Sequence, residues 1–341
     1  MNKIYDDNLY NESQKERFLQ RQNANTKEAY SRVLRRASAI EKRLGMDLYD
    51  FNLNEIKQVL LLLQSTKLAT VKSTGSIIQN YIRWAIEQDL RKDNINPLDA
   101  VSGNEFFVQF VDDNNPTLFS EEDIGNVVDG CLNFQDKAIV QAIFEGVMGK
   151  ENSELLNMKM EHITQIREND EMRYKIMLFN DGRKGREIRE IAISDYLYNI
   201  LRIANKEERY VKNNGVLKPN IKTDSRELID NDYIVRSAVT SKMKQNLDEP
   251  TTKYLVQSRL TKIAEWYNLP QLTVTNLRNS GMLKMARELY IKHGKLEKEE
   301  YNIICEHYNV GKQPDGSYAH SKYKVGFLNM ESLSLIYDIG I

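Results

Sequence analysis

Three cations cluster where the chain is predicted to turn between two strands. Arg183, Lys184 and Arg186 follow Asn180–Gly182, whose Asn-Asp-Gly sequence is typical of a hairpin turn. An exposed hairpin with three positive side chains suits contact with a groove or the phosphate backbone of DNA. A basic tip that only faces solvent is the alternative, and the sequence leaves both interpretations open.

A second candidate is a polar face in the first third of the chain. Lys72, Ser76, Gln79 and Arg83 recur every three or four residues, which places them on one side of a helix. Lysine and arginine bind phosphates, and a glutamine amide can read base edges, so this face could contact DNA. A solvated helix face is the plain alternative.

The elements that must position these residues are mainly α-helical, with one small β-hairpin. Caps and apolar periodicity predict helices that begin at Asn25 or Thr26, at 54–64, 70–88, 134–147 and 151–158. Alternating apolar residues predict a hairpin that pairs residues 174–179 with 188–193.

The stretch from Gly103 to Pro116 predicts a domain boundary. It has few apolar anchors and ends in Asp-Asp-Asn-Asn-Pro, which is typical of a turn. We therefore expect an N-terminal arm or loosely held helix at 1–24, a helical domain at 25–103, an acidic linker at 104–116 and a second domain at 117–341.

Composition is compatible with these expectations without selecting among functions. The 341 residues are 41% hydrophobic and 28% charged, as in a soluble protein with a core, and the net charge is −1. The acids are concentrated in residues 104–136, which hold eight acids and no base, between two mildly basic lobes. This distribution permits DNA binding but does not argue for it.

Other classes of protein and site find little support. There is no apolar run long enough for a membrane span and no secretory signal, so we expect a cytoplasmic protein in a bacterial host. Cys131 and Cys305 are expected to be buried and reduced. With four histidines and no phosphate-binding or dinucleotide motif, we expect no metal and no cofactor.

Three segments resemble the boxes of the tyrosine recombinases, the phage integrase family. Residues 272–280 read Leu-Thr-Val-Thr-Asn-Leu-Arg-Asn-Ser, similar to Leu-Thr-x-His-x-Leu-Arg-His-Thr. Residues 146–158 resemble the Thr-Gly-x-Arg-x-Ser-Glu-Leu-Leu box, and 303–307 resemble the Leu-Gly-His box. The resemblance implies a two-domain, tyrosine-recombinase-like architecture, with a core-binding domain and a catalytic-like domain.

The resemblance also implies which chemistry is missing. In this family a tyrosine attacks a DNA phosphate, while arginines, a lysine and histidines stabilise charge and move protons. Glu151 stands where the first arginine belongs, although a slip of one residue would place Lys150 there. Thr275 stands at a histidine position and cannot transfer protons near neutral pH.

Other positions of the family are retained. Arg278 matches a phosphate-binding arginine, and His307 matches the histidine of its box. Lys184 or Arg186 could stand for the hairpin lysine. Tyr318, at the better spacing from His307, and Tyr323 are the candidate nucleophiles.

These residues lead to three hypotheses of function. The first is a sequence-specific repressor that binds a double-stranded DNA operator on a catalytically inactive integrase scaffold. The pattern as a whole resembles the integrase-like repressors of SPβ-group temperate phages, which implies a role in lysogeny and leaves open a peptide or protein antirepressor. The second is a divergent but active recombinase, and the third is a protein-interaction module without DNA binding.

Overall fold

The structure, a computed structural model, describes residues 8–63, 65, 68–101, 103–111, 117–168, 170–182, 185–216, 223–239 and 248–339. The chain forms two compact units, Met1–Asn115 and Pro116–Ile341. No helix in these described ranges is long and apolar enough to cross a membrane.

The first unit is a helical bundle. Its helices are α1 (Glu12–Leu19), α2 (Ala24–Leu44), α3 (Leu53–Leu61), α4 (Leu68–Glu87) and α5 (Asn104–Val108). The Asn23 side chain caps α2 by accepting a hydrogen bond from the Thr26 amide, and α2 ends at Gly45 with φ 67°. The apolar side of α4 is buried against the other helices, and its opposite side carries the polar residues.

Two segments outside the domain bounds expected from the sequence pack on the core of this unit. Residues 12–19 lie in the predicted arm, yet Phe18 is 3% exposed and its ring centroid lies 5.0 Å from that of Tyr81. Residues 104–111 lie in the predicted linker, yet Phe110 is buried and Phe107 packs against Gly75. Both segments bury aromatic rings in the core of this unit. The polar residues around those rings gave no apolar periodicity from which this packing could be predicted.

The second unit is mixed α and β. Its elements are α6 (Glu121–Gly130), α7 (Phe134–Phe144), α8 (Ser153–Leu156), β1 (Ile163–Glu168), β2 (Glu171–Gly182), β3 (Gly185–Ile193), α9 (Asp195–Lys206), β4 (Arg209–Val211), β5 (Ser225–Glu227), α10 (Lys253–Trp266), α11 (Val274–His293), α12 (Lys298–His307), α13 (Ser321–Gly326) and α14 (Met330–Tyr337). Helix α7 is buried on nearly all sides and packs against α9 and α11.

The close approach of α11 to α7 depends on a glycine. A Cβ atom at Gly281 would overlap the backbone carbonyl of Phe144 and crowd the Tyr308 hydroxyl. Because that hydroxyl donates a hydrogen bond of 2.8 Å to the Phe144 carbonyl, α7, α11 and the end of α12 meet at one point. This packing fixes the helix that carries Arg278.

The small sheet is larger than predicted. Strands β1, β2 and β3 form an antiparallel sheet in that order, and β1 was missed because its residues are mostly exposed. Tyr174 pairs with Ile193 and Gly182 with Gly185, so Asn180–Gly182 belongs to β2 and is not the turn. Arg183 and Lys184, which separate the two strands in the sequence, lie outside the described residues.

Helices α12 to α14 pack with α11 and form a second apolar cluster within the second unit. Leu328 and Leu333 are fully buried, and they pack with Met282 and Leu283 of α11. The chain after residue 325 therefore docks on its own unit.

Candidate nucleic-acid interface

The loop between α7 and α8 presents an acid to solvent. Glu151 adopts a left-handed backbone with φ 54° and ψ 28°, a region that side chains other than glycine enter rarely. Asn180 of β2 holds this loop, since its Oδ1 accepts hydrogen bonds from the Lys150 amide (2.7 Å) and the Ser153 hydroxyl (3.1 Å). The exposed carboxylate of Glu151 pairs with Lys253 at 2.9 Å, and this contact lowers the pKa of Glu151. The residue at this position is thus a fixed anion with its own counter-ion.

Glu154, three residues further on, is the centre of a buried network. Its side chain has no exposure, and it accepts hydrogen bonds from Arg189 Nε at 2.6 Å and Arg189 Nη2 at 2.7 Å. It also accepts from the Met148 amide and the Asn309 side chain, each at 3.2 Å. Glu154 thereby ties the α7–α8 loop to β3 and to the segment that follows α12.

Arg189 was missed in the sequence, although a signal was present. Along β3 it lies on the same side as Ile191 and Ile193, which face the core. A charged side chain at such an inward position needs a buried partner. Its guanidinium also donates to the carbonyls of Gly146 (2.8 Å) and His307 (2.5 Å), so it organises the site without facing solvent.

His307 is engaged as a structural donor. Its Nε2 lies 2.8 Å from the Glu145 carbonyl, to which it donates, and burial lowers the pKa of its imidazole. The neutral ring packs against Gly146 and the ring of Tyr308. In this arrangement the Nε2 atom of the imidazole is engaged in a hydrogen bond within the unit.

Arg278 lies near the start of α11, where the Thr273 hydroxyl caps the helix by accepting from the Asn276 amide. Its Nη2 donates to the Tyr308 carbonyl at 2.9 Å, directly after the carbonyl that Arg189 binds. Thr275 is exposed on the same first turn. Arg278 and Thr275 are thus side by side at one helix end.

The two candidate tyrosines lie in different surroundings. The Arg278 guanidinium lies 5.7 Å from the ring centroid of Tyr323, which belongs to α13. Tyr318 precedes that helix, and the ammonium of Lys312 lies 5.0 Å from its ring. Tyr323 is therefore the candidate tyrosine that lies near Arg278, whereas the spacing from His307 favoured Tyr318 as the nucleophile.

One of the three cations predicted for the hairpin, Arg186, lies within the described residues, near the start of β3. Arg186 is exposed, and its guanidinium stacks 4.6 Å from the ring centroid of Phe179. Arg183 and Lys184 lie outside the described residues. The stack on Phe179 leaves the guanidinium edge of Arg186 available to an anion.

The predicted polar face of α4 is present, and its longer side chains have partners. Lys72 donates to Asn104 Oδ1 at 2.9 Å. Gln79 and Arg83 share Asp99 Oδ1, at 2.6 and 3.3 Å. Ser76 is exposed between them. Exposed contacts of this kind are weak, so a DNA phosphate can exchange with them at low cost.

Neither a metal centre nor a disulfide emerges from the described residues. They contain no group of three His, Cys, Asp or Glu side chains that could hold a metal ion. Cys131 and Cys305 are both buried, as expected, and neither takes part in a disulfide among the described residues.

Comparison with solved structures gives distant similarities along most of the chain. The Lambda integrase bound to DNA is 13% identical with a TM-score of 0.47, covering 96% of this chain and 98% of that one. The XerH site-specific recombinase bound to its difH substrate is 13% identical with a TM-score of 0.41, covering 93% and 79%.

Comparison of sequences covers both units. The chain is 26% identical over 303 residues to the SPbeta prophage-derived uncharacterized protein YopR of Bacillus subtilis strain 168, covering 89% of each. Residues 9–88 match the N-terminal core-binding domain of MrpR, and residues 118–338 match its C-terminal catalytic domain. Because these two matches span the helical bundle and the mixed unit alike, the chain belongs to the integrase-like MrpR family.

Proposed function

We propose that this protein is a sequence-specific, double-stranded DNA-binding repressor that does not cut DNA and that maintains a prophage in lysogeny. The observation that carries the proposal is the anion at Glu151, paired with Lys253, where the family resemblance calls for an arginine. A carboxylate beside a phosphate raises the energy of the charge that builds up during phosphoryl transfer.

Two further features support the loss of cleavage. Thr275 has no group that titrates near neutral pH, and it stands at the position of a histidine. The imidazole of His307 is used in a hydrogen bond to the Glu145 carbonyl and is buried. The groups that would move protons to and from a leaving oxygen are thus absent or engaged.

DNA binding itself is supported by exposed cations in both units. The polar face of α4 offers Lys72 and Arg83 in the first unit, and Arg186 and Lys150 are exposed in the second. Arg278 is retained at the end of α11. Phosphate contacts of this kind position a protein on a duplex, and side chains such as Gln79 then read base edges.

The link to lysogeny comes from the relative. YopR is described as derived from the SPbeta prophage, and it aligns with 89% of this chain. A repressor of this kind acts in the cytoplasm of the bacterial host, and a peptide or protein antirepressor would relieve it.

An active recombinase is the second candidate, favoured by one observation. Arg278 lies beside the ring of Tyr323, so a phosphate bound to the guanidinium would meet a phenol. In that case Lys150 would have to supply the missing positive charge, although lysine cannot make the bidentate contact of arginine.

One experiment separates these functions. The protein is incubated with labelled fragments of the genome that encodes it, and the sample is divided between a native and a denaturing gel. We expect a sequence-selective shift in the native gel and no SDS-resistant adduct. A covalent adduct would establish a recombinase, and the absence of any shift would leave only a protein-interaction module.

A further inference from the structure

We propose that Glu151 is an internal counter-anion that holds Lys253 in the free protein and is displaced by a DNA phosphate when the protein binds. This inference rests on the proposed DNA-binding function and adds a regulatory contact to the same site. It concerns one residue pair in the second unit, 2.9 Å apart.

The surface around Lys253 is suited to a phosphate. Lys253 is the first residue of α10, and the Thr252 side chain makes no cap hydrogen bond there. The unpaired amides and the helix dipole add positive potential at that point. Tyr254 is 66% exposed, and the Lys253 ammonium lies 5.6 Å from its ring, so a flat apolar group adjoins the cation.

The position of Glu151 is imposed by the fold. Its left-handed backbone is followed by Asn152, also left-handed with φ 68°. The hydrogen bonds of Asn180 to Lys150 and Ser153 hold this conformation. Glu151 and Asn152 thus adopt a costly backbone conformation in succession, and the first of them carries the acid that pairs with Lys253. This strain favours a contact that the fold fixes over an accidental surface contact.

The pair is built so that a phosphate can exchange with it. The side chain of Glu151 is 61% exposed and that of Lys253 is 35% exposed, so water screens their attraction. A phosphate that approaches Lys253 is attracted by the ammonium and by the N-terminal end of α10, but it is repelled by the carboxylate of Glu151. The acid therefore weakens binding to every duplex and leaves base contacts elsewhere to decide which duplex is held.

The test measures affinity for a labelled random-sequence duplex at several salt concentrations by fluorescence anisotropy. Glu151→Gln keeps the size of the side chain and removes its charge, so we expect tighter binding by about tenfold, the size of a single good charge contact. We also expect the log–log salt slope to steepen by about one unit, because Lys253 then neutralises a phosphate with no displaced carboxylate beside it.

Glu190→Gln is the matched control. Glu190 forms a similar exposed pair with Lys175 at 3.3 Å, on the outer side of β2 and β3. Both variants change the net charge equally, so a gain restricted to Glu151→Gln reports the local contact. In Glu151→Gln/Lys253→Met the gain should be lost, since the cation that it exposes is gone.

The outcomes separate this inference from the proposed function. If the wild-type protein binds DNA and Glu151→Gln behaves like Glu190→Gln, the inference is wrong and the function stands. If no variant binds any duplex, both are wrong. If only Glu151→Gln binds the random duplex, the inference is supported in its strongest form.

Discussion

Arg189 of β3 and Glu154 of α8 meet in a two-pronged ion pair, with Nε 2.6 Å from Oε1 and Nη2 2.7 Å from Oε2. The carboxylate is fully buried, and the guanidinium also binds the carbonyls of Gly146 and His307. One arginine thus joins the loop that presents Glu151 to the helix end that carries His307. The geometry of the candidate interface thus depends on a residue pair with little or no exposure.

Removing one partner of this pair should destabilise the second unit. Arg189→Met leaves the Glu154 carboxylate buried without its counter-ion, so we expect the free energy of unfolding to fall by about 3–5 kcal/mol. Arg173→Met is the control, because the Arg173–Glu168 pair is exposed and contributes only about 0–1 kcal/mol. Urea unfolding of both variants makes the comparison. Equal, small losses would show that the pair is not a structural centre.

Arg278 should contribute to DNA affinity. Arg278→Ala removes a charge-assisted contact of about 1.5–3 kcal/mol with a phosphate, and affinity should fall accordingly. Arg287→Ala is the control on the same helix, because its guanidinium packs 4.9 Å from the Tyr337 ring, within the unit. If both variants bind the operator as the wild type does, Arg278 has no phosphate contact and serves only the Tyr308 carbonyl.

The polar face of α4 should divide into two kinds of contact. Arg83→Ala should weaken binding to all duplexes and reduce the log–log salt slope by about 0.9, the contribution of one phosphate. Gln79→Ala should leave that slope unchanged and relax the preference for one base pair by about 1–3 kcal/mol. Titrations against operator and random duplexes separate the two effects. A wild-type slope and sequence preference in both variants would assign this face to solvent.

The sequence predicted most helices because their apolar stripes and caps are local features. The predicted helix at 70–88 is α4 at Leu68–Glu87, and the predicted start near Asn25 is Ala24, capped by Asn23. The errors fall where long-range packing decides, as in α1. Its polar sequence reads as an arm, but Phe18 completes an aromatic cluster with Tyr81 and Trp84.

The candidate site was predictable in its residue types and not in its contacts. The boxes located Glu151, Arg278 and His307, but nothing local reveals that His307 binds the Glu145 carbonyl. The ion pair of Glu151 with Lys253 joins positions about a hundred residues apart, and no spacing rule connects them. Contacts of this kind follow from the tertiary fold alone.

The first unit should lose stability as pH rises. Lys15 lies between buried Glu41 and Asp47, and burial, aided by the charge of Asp47, raises the pKa of Glu41 from 4.5 to about 7. The folded state then holds a proton that the unfolded state releases earlier. The resulting stabilisation is complete below pH 4.5 and is lost as the pH rises through about 7.

Trp84 can report this effect in the first unit. The chain has two tryptophans, so Trp266→Phe leaves Trp84 as the fluorescent probe. Urea unfolding followed by its emission should show a midpoint that falls with pH, and Lys15→Met/Glu41→Gln should flatten that dependence. A midpoint that rises over this range would mean that Lys15 keeps Glu41 ionised at 2.6 Å despite its burial.

Neither candidate tyrosine should be needed for DNA binding. Tyr318→Phe/Tyr323→Phe keeps both rings, including the one that lies 5.7 Å from Arg278, and removes only the hydroxyls. Both tyrosines are half-buried, and losing their two hydroxyls should change binding by at most about 0.5 kcal/mol, roughly twofold, so the native gel shift should persist. The denaturing gel should show no adduct before or after the change. An adduct in the wild type that Tyr323→Phe alone abolishes would identify Tyr323 as a nucleophile, and Glu151 would then have to be tolerated beside a reacting phosphate.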